Sequence, residues 1–348
     1  WTNLFKQCNA KIYATHLKWG TSPIVATEAI NELGGVSAIW QTSFYETMGL
    51  NSIVNSDIYF SFSSNSSKIE ELNGSSIKYI VGVGYIFDFN FISSKLNASK
   101  IKHYLKKNNA RKIISIFDGS SSEDERWGVG NTNVKKDYQF ILEKVLEENW
   151  LGLIIKSKRP GSLRVRLGNV SEILDSAIKT GRCYFSEDSD YGDKNLSIRP
   201  ADAAYASDIA IHLCLYAGSA GLEAALTGTP TLLLDRYNLK DSQFYKLDKN
   251  KVVFHGLADM WDAIEEHWER ESIPGFGDWS PIINDIDPFR DGKAAQRVNS
   301  FILTLLDGFK AGYESEAILE NAVEIYGREW GYDKIATVGE CDVSKKFI

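Results

Sequence analysis

Short apolar runs rich in Val, Ile, Tyr and Phe recur along the chain, separated by helix-length stretches with apolar residues on one side. The runs are Lys11–Thr15, Val36–Trp40, Asp57–Ser61, Lys78–Val83, Lys112–Phe117, Leu151–Ser157, Arg182–Ser186, Asp208–Leu213, Thr231–Asp235 and Lys251–Phe254. They are too short for helices, and their near-continuous apolar character predicts strands buried on both faces. Strand alternating with helix predicts an α/β protein made of parallel sheets covered by helices on both sides. Helix signals agree: Pro23 opens Ile24–Leu33 and Gly34-Gly35 closes it. Tyr138, Phe140, Ile141, Val145 and Leu146 make a helical stripe in Lys135–Asn149, and Asp259–Arg270, Ala294–Lys310 and Glu314–Arg328 are amphipathic.

The chain has 348 residues, which suits two domains at ~100–200 residues each. Residues 95–111 are basic and polar and separate two strand–helix series, so a junction is expected near residue 110. That gives domains 1–110 and 111–348. The short first domain, and an opening on Trp1 rather than Met, suggest a trimmed N terminus. Net charge is −7, which argues against a basic nucleic-acid binder. No apolar run approaches the ~18 residues of a membrane span. The four cysteines are scattered and read as reduced thiols, as in a cytoplasmic protein, and the five histidines do not cluster as metal ligands.

Candidate chemistry sits at the predicted C-terminal ends of strands, where open α/β sheets bind ligands. In Asp208–Asp235 the small-residue turn Gly218-Ser219-Ala220-Gly221 feeds directly into a helix. Its free N–H groups and the helix dipole favour a phosphate, Ser219 can donate to it or merely cap the helix, and Glu223 could hold ribose hydroxyls. Lys156 closes a strand and is followed by Lys158, Arg159, Arg164 and Arg166, a local positive field suited to a diphosphate or a solvated basic loop. Ser120 lies in the loop Gly119-Ser120-Ser121-Ser122 after another strand. In the first domain His16, Gln41, Thr42, Ser43, Glu46, Gly84, Tyr85 and Asp88 follow strand ends. A different reading uses Ala217-Gly218-Ser219-Ala220-Gly221 as a near match to a nucleophile elbow, with Asp235 and His255 completing a serine hydrolase triad.

The segment "SAGLEAALTGTPTLLLD", with Glu223, Ala224, Gly228 and Pro230, resembles the donor-binding run of GT-B glycosyltransferases. "ATEAINELGGVSAIWQTSFYE" together with "IVGVGY" and Asp88 resembles bacterial surface-polysaccharide transferases of the capsule and CDP-glycerol type, although Thr42-Ser43 stands where those have His-Gly. The resemblance implies two Rossmann-like, doubly wound domains facing a cleft. It also implies transfer of a sugar from a nucleotide-activated donor to a glycan or lipid-linked glycan, in the cytoplasm or peripherally at the inner face of the membrane beside other glycan-assembly proteins. Lys156, Arg159, Gly218, Ser219, Gly221, Glu223 and Ser120 would hold the donor, and Asp88, Glu46 and His16 are the candidates for catalysis, with no metal or cofactor. The final helix Glu314–Arg328 would return to brace the first domain. A non-catalytic nucleotide- or glycan-binding module, and a nucleotide-sugar 2-epimerase, remain open on the same resemblance.

Overall fold

The computed structural model describes residues 1–18, 20–44, 53–119, 121–124, 129–187, 198–215, 218–240, 242–248, 250–270 and 272–338. Each expected strand forms, with ends within two residues of those read from the apolar runs. The chain begins α1 (Thr2–Cys8), β1 (Ile12–Thr15), α2 (Thr21–Asn31), β2 (Val36–Trp40), β3 (Asn55–Ser61), α3 (Ser67–Asn73), β4 (Ser76–Gly82) and α4 (Phe91–Lys107). It continues with β5 (Lys112–Phe117), the two-residue strands β6 (Ser121–Ser122) and β7 (Val129–Gly130), α5 (Asn131–Glu147), β8 (Leu151–Lys156), α6 (Pro160–Leu167), α7 (Val170–Lys179) and β9 (Cys183–Phe185). Then come α8 (Pro200–Ala206), β10 (Ile209–His212), α9 (Ser219–Leu226), β11 (Thr231–Leu234), β12 (Val253–Phe254) and α10 (Leu257–Glu269). The last elements are α11 (Ser280–Ile286), α12 (Ala294–Lys310), α13 (Ser315–Trp330) and β13 (Ile335–Val338).

By contacts the chain forms two units. One takes in Trp1–Thr42, the chain up to Phe89 and the segment from Ile283 onward; the other takes in Ser43, Phe44 and Asn90–Ile282. The junction expected near residue 110 falls at the far end of α4, which belongs to the second unit. Lysines and serines give α4 the composition of a linker, but Ala98, Ile101 and Leu105 recur at helical spacing and pack on Ile113, Phe117 and Ile154.

The first unit's sheet has the order β1-β2-β3-β4-β13, parallel except for β13, which runs antiparallel to β4 with Ile335 opposite Val81. When strands follow one another in sequence order, right-handed crossovers stack their helices on one face. The other face needs a separate cover. α12 and α13 supply it: Phe301, Leu305, Ile318, Leu319, Ala322 and Tyr326 pack on Val36, Ala38, Ile58, Phe60, Val81 and Val83. The Tyr326 hydroxyl donates to the carbonyl of Gly82 (2.7 Å). The final helix thus returns to the first sheet.

The second unit's sheet is wholly parallel, in the order β12-β11-β10-β5-β8-β9. α5, α6, α7 and α10 cover one face, and α4, α8 and α9 the other. From β5 the chain builds outward to β8 and β9, then jumps back to β10 on the other side of β5 and builds outward to β12. The strand order therefore reverses between β5 and β10. Among the described residues, no helix is long and apolar enough to cross a membrane.

Candidate functional site: the strand ends of the second sheet

Where strand order reverses in a parallel sheet, neighbouring connections leave in opposite directions and open a crevice at the C-terminal ends. Here β5 is followed by Asp118, β10 leads toward the N terminus of α9, and β8 beside β5 ends at Lys156 and is followed by Ser157–Arg159. Asp118 organises this edge and was not singled out from the sequence. It is buried, and its Oδ2 accepts from Tyr138 (3.2 Å), Ser157 (3.0 Å) and Arg166 (3.0 Å), while Oδ1 accepts the amide of Lys158 (2.5 Å). Arg166 also donates to Ser157 Oγ (2.9 Å) and Ser121 Oγ (2.9 Å), and the Arg159 amide donates to Ser157 Oγ (3.2 Å). The basic run thus divides by role. Arg166 points inward and neutralises Asp118, and Arg164 is paired with Asp175 (2.6 Å) and Glu187 (2.5 Å). Lys158 and Arg159 are left exposed at the strand end. Lys156 is half-buried, and its ammonium donates to the carbonyl of Ser157 (2.8 Å).

At α9, Gly218 takes the N-cap position and Ser219 is the first helical residue. Ser219 makes no cap bond. Its Oγ accepts the amide of Phe44, which groups with this unit (2.7 Å), so the hydroxyl proton stays available for another acceptor. Gly221 is buried against the sheet: a Cβ there would stand 3.3 Å from Leu233 Cδ2 and 3.4 Å from His212 Cβ. Its smallness serves helix-on-sheet packing. Glu223 is also turned inward, where its Oε1 accepts the amide of Ala201 in the first turn of α8 (2.9 Å). His212, at the end of β10, accepts the amide of Cys214 at Nδ1 (3.2 Å). Burial pushes its pKa down to about 4 and the Lys158 charge adds to this, so the ring is neutral. Ser120 and Glu46 lie outside the described residues.

The hydrolase triad does not assemble. The Asp235 carboxylate accepts from the amides of Tyr237 (3.0 Å) and Leu239 (2.8 Å) and from the Tyr245 hydroxyl. His255 Nδ1 meets the backbone carbonyl of Asp235 (3.0 Å), not its carboxylate, and Ser219 is engaged with Phe44.

In the first unit, Asp88 opens a 3-10 turn after β4. Its Oδ2 accepts the Gly292 amide (2.8 Å), while Oδ1 is buried without a hydrogen-bond partner. Burial, and then the negative charge of Asp287, push its pKa up to about 6. Asp287 accepts from the amides of Tyr85 (3.1 Å), Phe289 (3.0 Å) and Arg290 (3.2 Å). The fully buried Arg297 pairs with Asp291, donates to Val83 O (3.2 Å), and lies 3.5 Å over the Phe289 ring. His16 is exposed after β1, beside Trp40. β2 and β3 separate β1 from β4, so at ~4.8 Å per strand the ends of β1, followed by His16, and of β4 lie roughly 14 Å apart along the sheet edge. Gln41 is buried, with Oε1 accepting the Phe62 amide (2.9 Å).

No protein-family model and no curated protein matches the chain. Solved structures do. A provisionally assigned UDP-N-acetylglucosamine 2-epimerase from Listeria monocytogenes matches with a TM-score of 0.53 and 14% identity, over 90% of this chain and 78% of that one. The S. aureus MnaA–UDP structure matches with a TM-score of 0.55 and 14% identity, over 88% of this chain and 79% of that one. The H444N variant of the wall teichoic acid polymerase TagF superposes more loosely, with a TM-score of 0.48 and 12% identity over 91% and 74%. At these identities the likeness concerns fold: the chain has the GT-B fold, with two mostly parallel α/β sheets.

Proposed function

We propose that this chain is a nucleotide-sugar enzyme that transfers a sugar from a nucleotide-activated donor to a bacterial surface glycan. The observation that carries the donor site is the reversal of strand order between β5 and β10, flanked by the α9 N terminus and the Lys156–Arg159 loop. Phosphate fits there for a physical reason. The first-turn amides of α9 lack acceptors within the helix, Ser219 keeps its proton, and Lys158 and Arg159 add positive charge from the neighbouring strand end. These donors meet the charge that grows on the leaving phosphate as the glycosidic bond breaks. β8 and β10 lie on either side of β5, roughly 10 Å apart at ~4.8 Å per strand, a span that a lysine side chain and a phosphate can bridge. Gly221 and Glu223 shape this turn from behind, by packing on the sheet and by holding α8. Asp88 is the proposed base, because burial and the Asp287 charge push its pKa up to about 6 and its buried Oδ1 has no hydrogen-bond partner.

One observation favours a second reading, a UDP-sugar 2-epimerase: the Listeria monocytogenes neighbour carries that assignment. Thermal shifts with UDP, CDP and GDP test the site first. A ligand at ~100 Kd stabilises by about 2.7 kcal/mol, so at least one nucleotide should raise Tm clearly, and its nucleoside should not. Incubation with UDP-N-acetylglucosamine then separates the two readings. Isomer formed without any acceptor supports the epimerase, whereas transfer requires an acceptor and releases nucleotide. If no nucleotide shifts Tm, the donor site is refuted.

A further inference from the structure

α4 has two unlike faces. Its inner face, Ala98, Ile101 and Leu105, is committed to the core of the second unit. Its first turns are held to α8: Arg199 donates to the Ser93 hydroxyl (2.9 Å), and Tyr205 meets Phe91 edge-on with the Lys95 ammonium 5.4 Å from its ring. Among the described residues, the outer face has no such partner. At 3.6 residues per turn, Ile92, Leu96, Ser99, His103 and Lys107 fall within an arc of roughly 80°, with Lys95 and Lys106 along one border and Lys100 along the other.

Two features of that face belong together. Ile92 is 81% exposed and Leu96, one turn on, is 68% exposed. Single exposed aliphatic residues are ordinary on a protein surface, but these two stand inside a field of lysines. α4 carries Lys95, Lys100, Lys102, Lys106 and Lys107 and no Asp or Glu, on a chain whose net charge is −7. Among the described residues, Lys100, Lys102, Lys106 and Lys107 form no ion pair.

We propose that the outer face of α4 docks on a bilayer of anionic phospholipid, with Ile92 and Leu96 entering the boundary between headgroups and acyl chains and the lysines meeting lipid phosphates. A nucleic acid or an acidic protein would match the lysines but would leave two aliphatic side chains in water or against charge. An anionic bilayer offers both chemistries at the right depth. The helix is about 25 Å long, enough to lie along such a surface. The proposal does not depend on the donor site.

The test is co-sedimentation of the full chain with vesicles of phosphatidylglycerol mixed into phosphatidylcholine, and with phosphatidylcholine alone. Binding should require the anionic lipid and fall as salt is raised. The triple variant Lys100→Gln/Lys106→Gln/Lys107→Gln should lose roughly fivefold in affinity for each lysine removed. Leu96→Ser should weaken binding while leaving its salt dependence unchanged. Each substituted side chain is exposed, and an unchanged melting curve confirms that the variants fold. Three results would overturn the proposal: no binding to the anionic vesicles, equal binding to both vesicle types, or binding that neither variant weakens. Tight binding to duplex DNA without vesicle binding would also overturn it, in favour of a nucleic-acid surface.

Discussion

The two sheets are built from the same alternation of strand and helix, yet they end differently. In the second sheet the order turns back between β5 and β10, so crossover helices cover both faces, and a reversal of this kind is where parallel sheets open a crevice at their strand ends. In the first sheet β1 to β4 lie in chain order, one face is closed by helices from far along the chain, and several polar groups near the strand ends, Asp88 Oδ1 apart, are spent on holding loops. Gln41 holds the Phe62 amide, Lys18 is paired with buried Glu70 (2.5 Å), and Asp287 ties the Tyr85 amide to the Phe289 amide of its own turn. Strand order, which composition does not reveal, separates the proposed binding edge from a brace.

The comparison breaks first at its most buried pair. Arg166→Leu should cost about 3–5 kcal/mol, because it leaves Asp118 charged and buried without its counter-ion. Urea unfolding measures this, and a loss below ~1 kcal/mol would mean that Asp118 does not depend on Arg166. Ser219→Ala should lower nucleotide affinity by about 1.5–3 kcal/mol, beside a fall in Tm from the lost Phe44 amide bond. Gln41→Ala, after β2 in the first sheet, should lower Tm through the orphaned Phe62 amide and leave nucleotide affinity unchanged. Calorimetric titration beside thermal melts distinguishes them, and equal affinity losses in both variants would erase the contrast. Gly221→Leu should destabilise by about 1–3 kcal/mol through crowding of Leu233 and His212, and Gly221→Ala by less. If Gly221→Leu melts like the parent but loses nucleotide, the glycine serves the ligand instead.

The last contrast concerns pH and has opposite signs in the two units, so the two contributions partly offset in the parent chain. His212 is held at about 4 in the folded chain against an ordinary 6.5, so the unfolded chain takes up a proton that the folded one refuses. Stability present above pH 6.5 is therefore lost as pH falls toward 4. Asp88 is raised to about 6 from 3.8, so the folded chain keeps a proton that the unfolded one gives up. Its contribution is full at low pH and disappears as pH rises through 6. Across this window His212→Gln should make Tm less sensitive to acid and Asp88→Asn more sensitive. Parallel Tm–pH curves for the two variants would contradict this assignment.

The strands were legible because each is an unbroken apolar run, and α13 because its stripe is regular. α4 was not, since its lysines outnumber the few apolar residues that pack. β13 escaped because a four-residue edge strand leaves little periodicity to read. The α9 turn and the lysine-rich strand end were visible as motifs. What the sequence did not reveal was the direction each side chain takes. Glu223, expected at a ribose, turns its Oε1 inward to the Ala201 amide of α8, while Asp118, not singled out from the sequence, is the residue on which Arg166, Ser157 and Lys158 converge. Such assignments depend on which strands are neighbours, and those neighbours are far apart in the chain.

The cover of the first sheet by α12 and α13 has a consequence for synthesis on the ribosome. Val36, Ala38, Ile58, Phe60 and Val81 emerge early, but the residues that cover them follow only after the whole second unit. At ~5–20 residues per second, that apolar face waits roughly 10–50 s for its cover. Over that interval the nascent chain carries an uncovered sheet face suited to a holdase chaperone, and the second unit can finish folding before the first does.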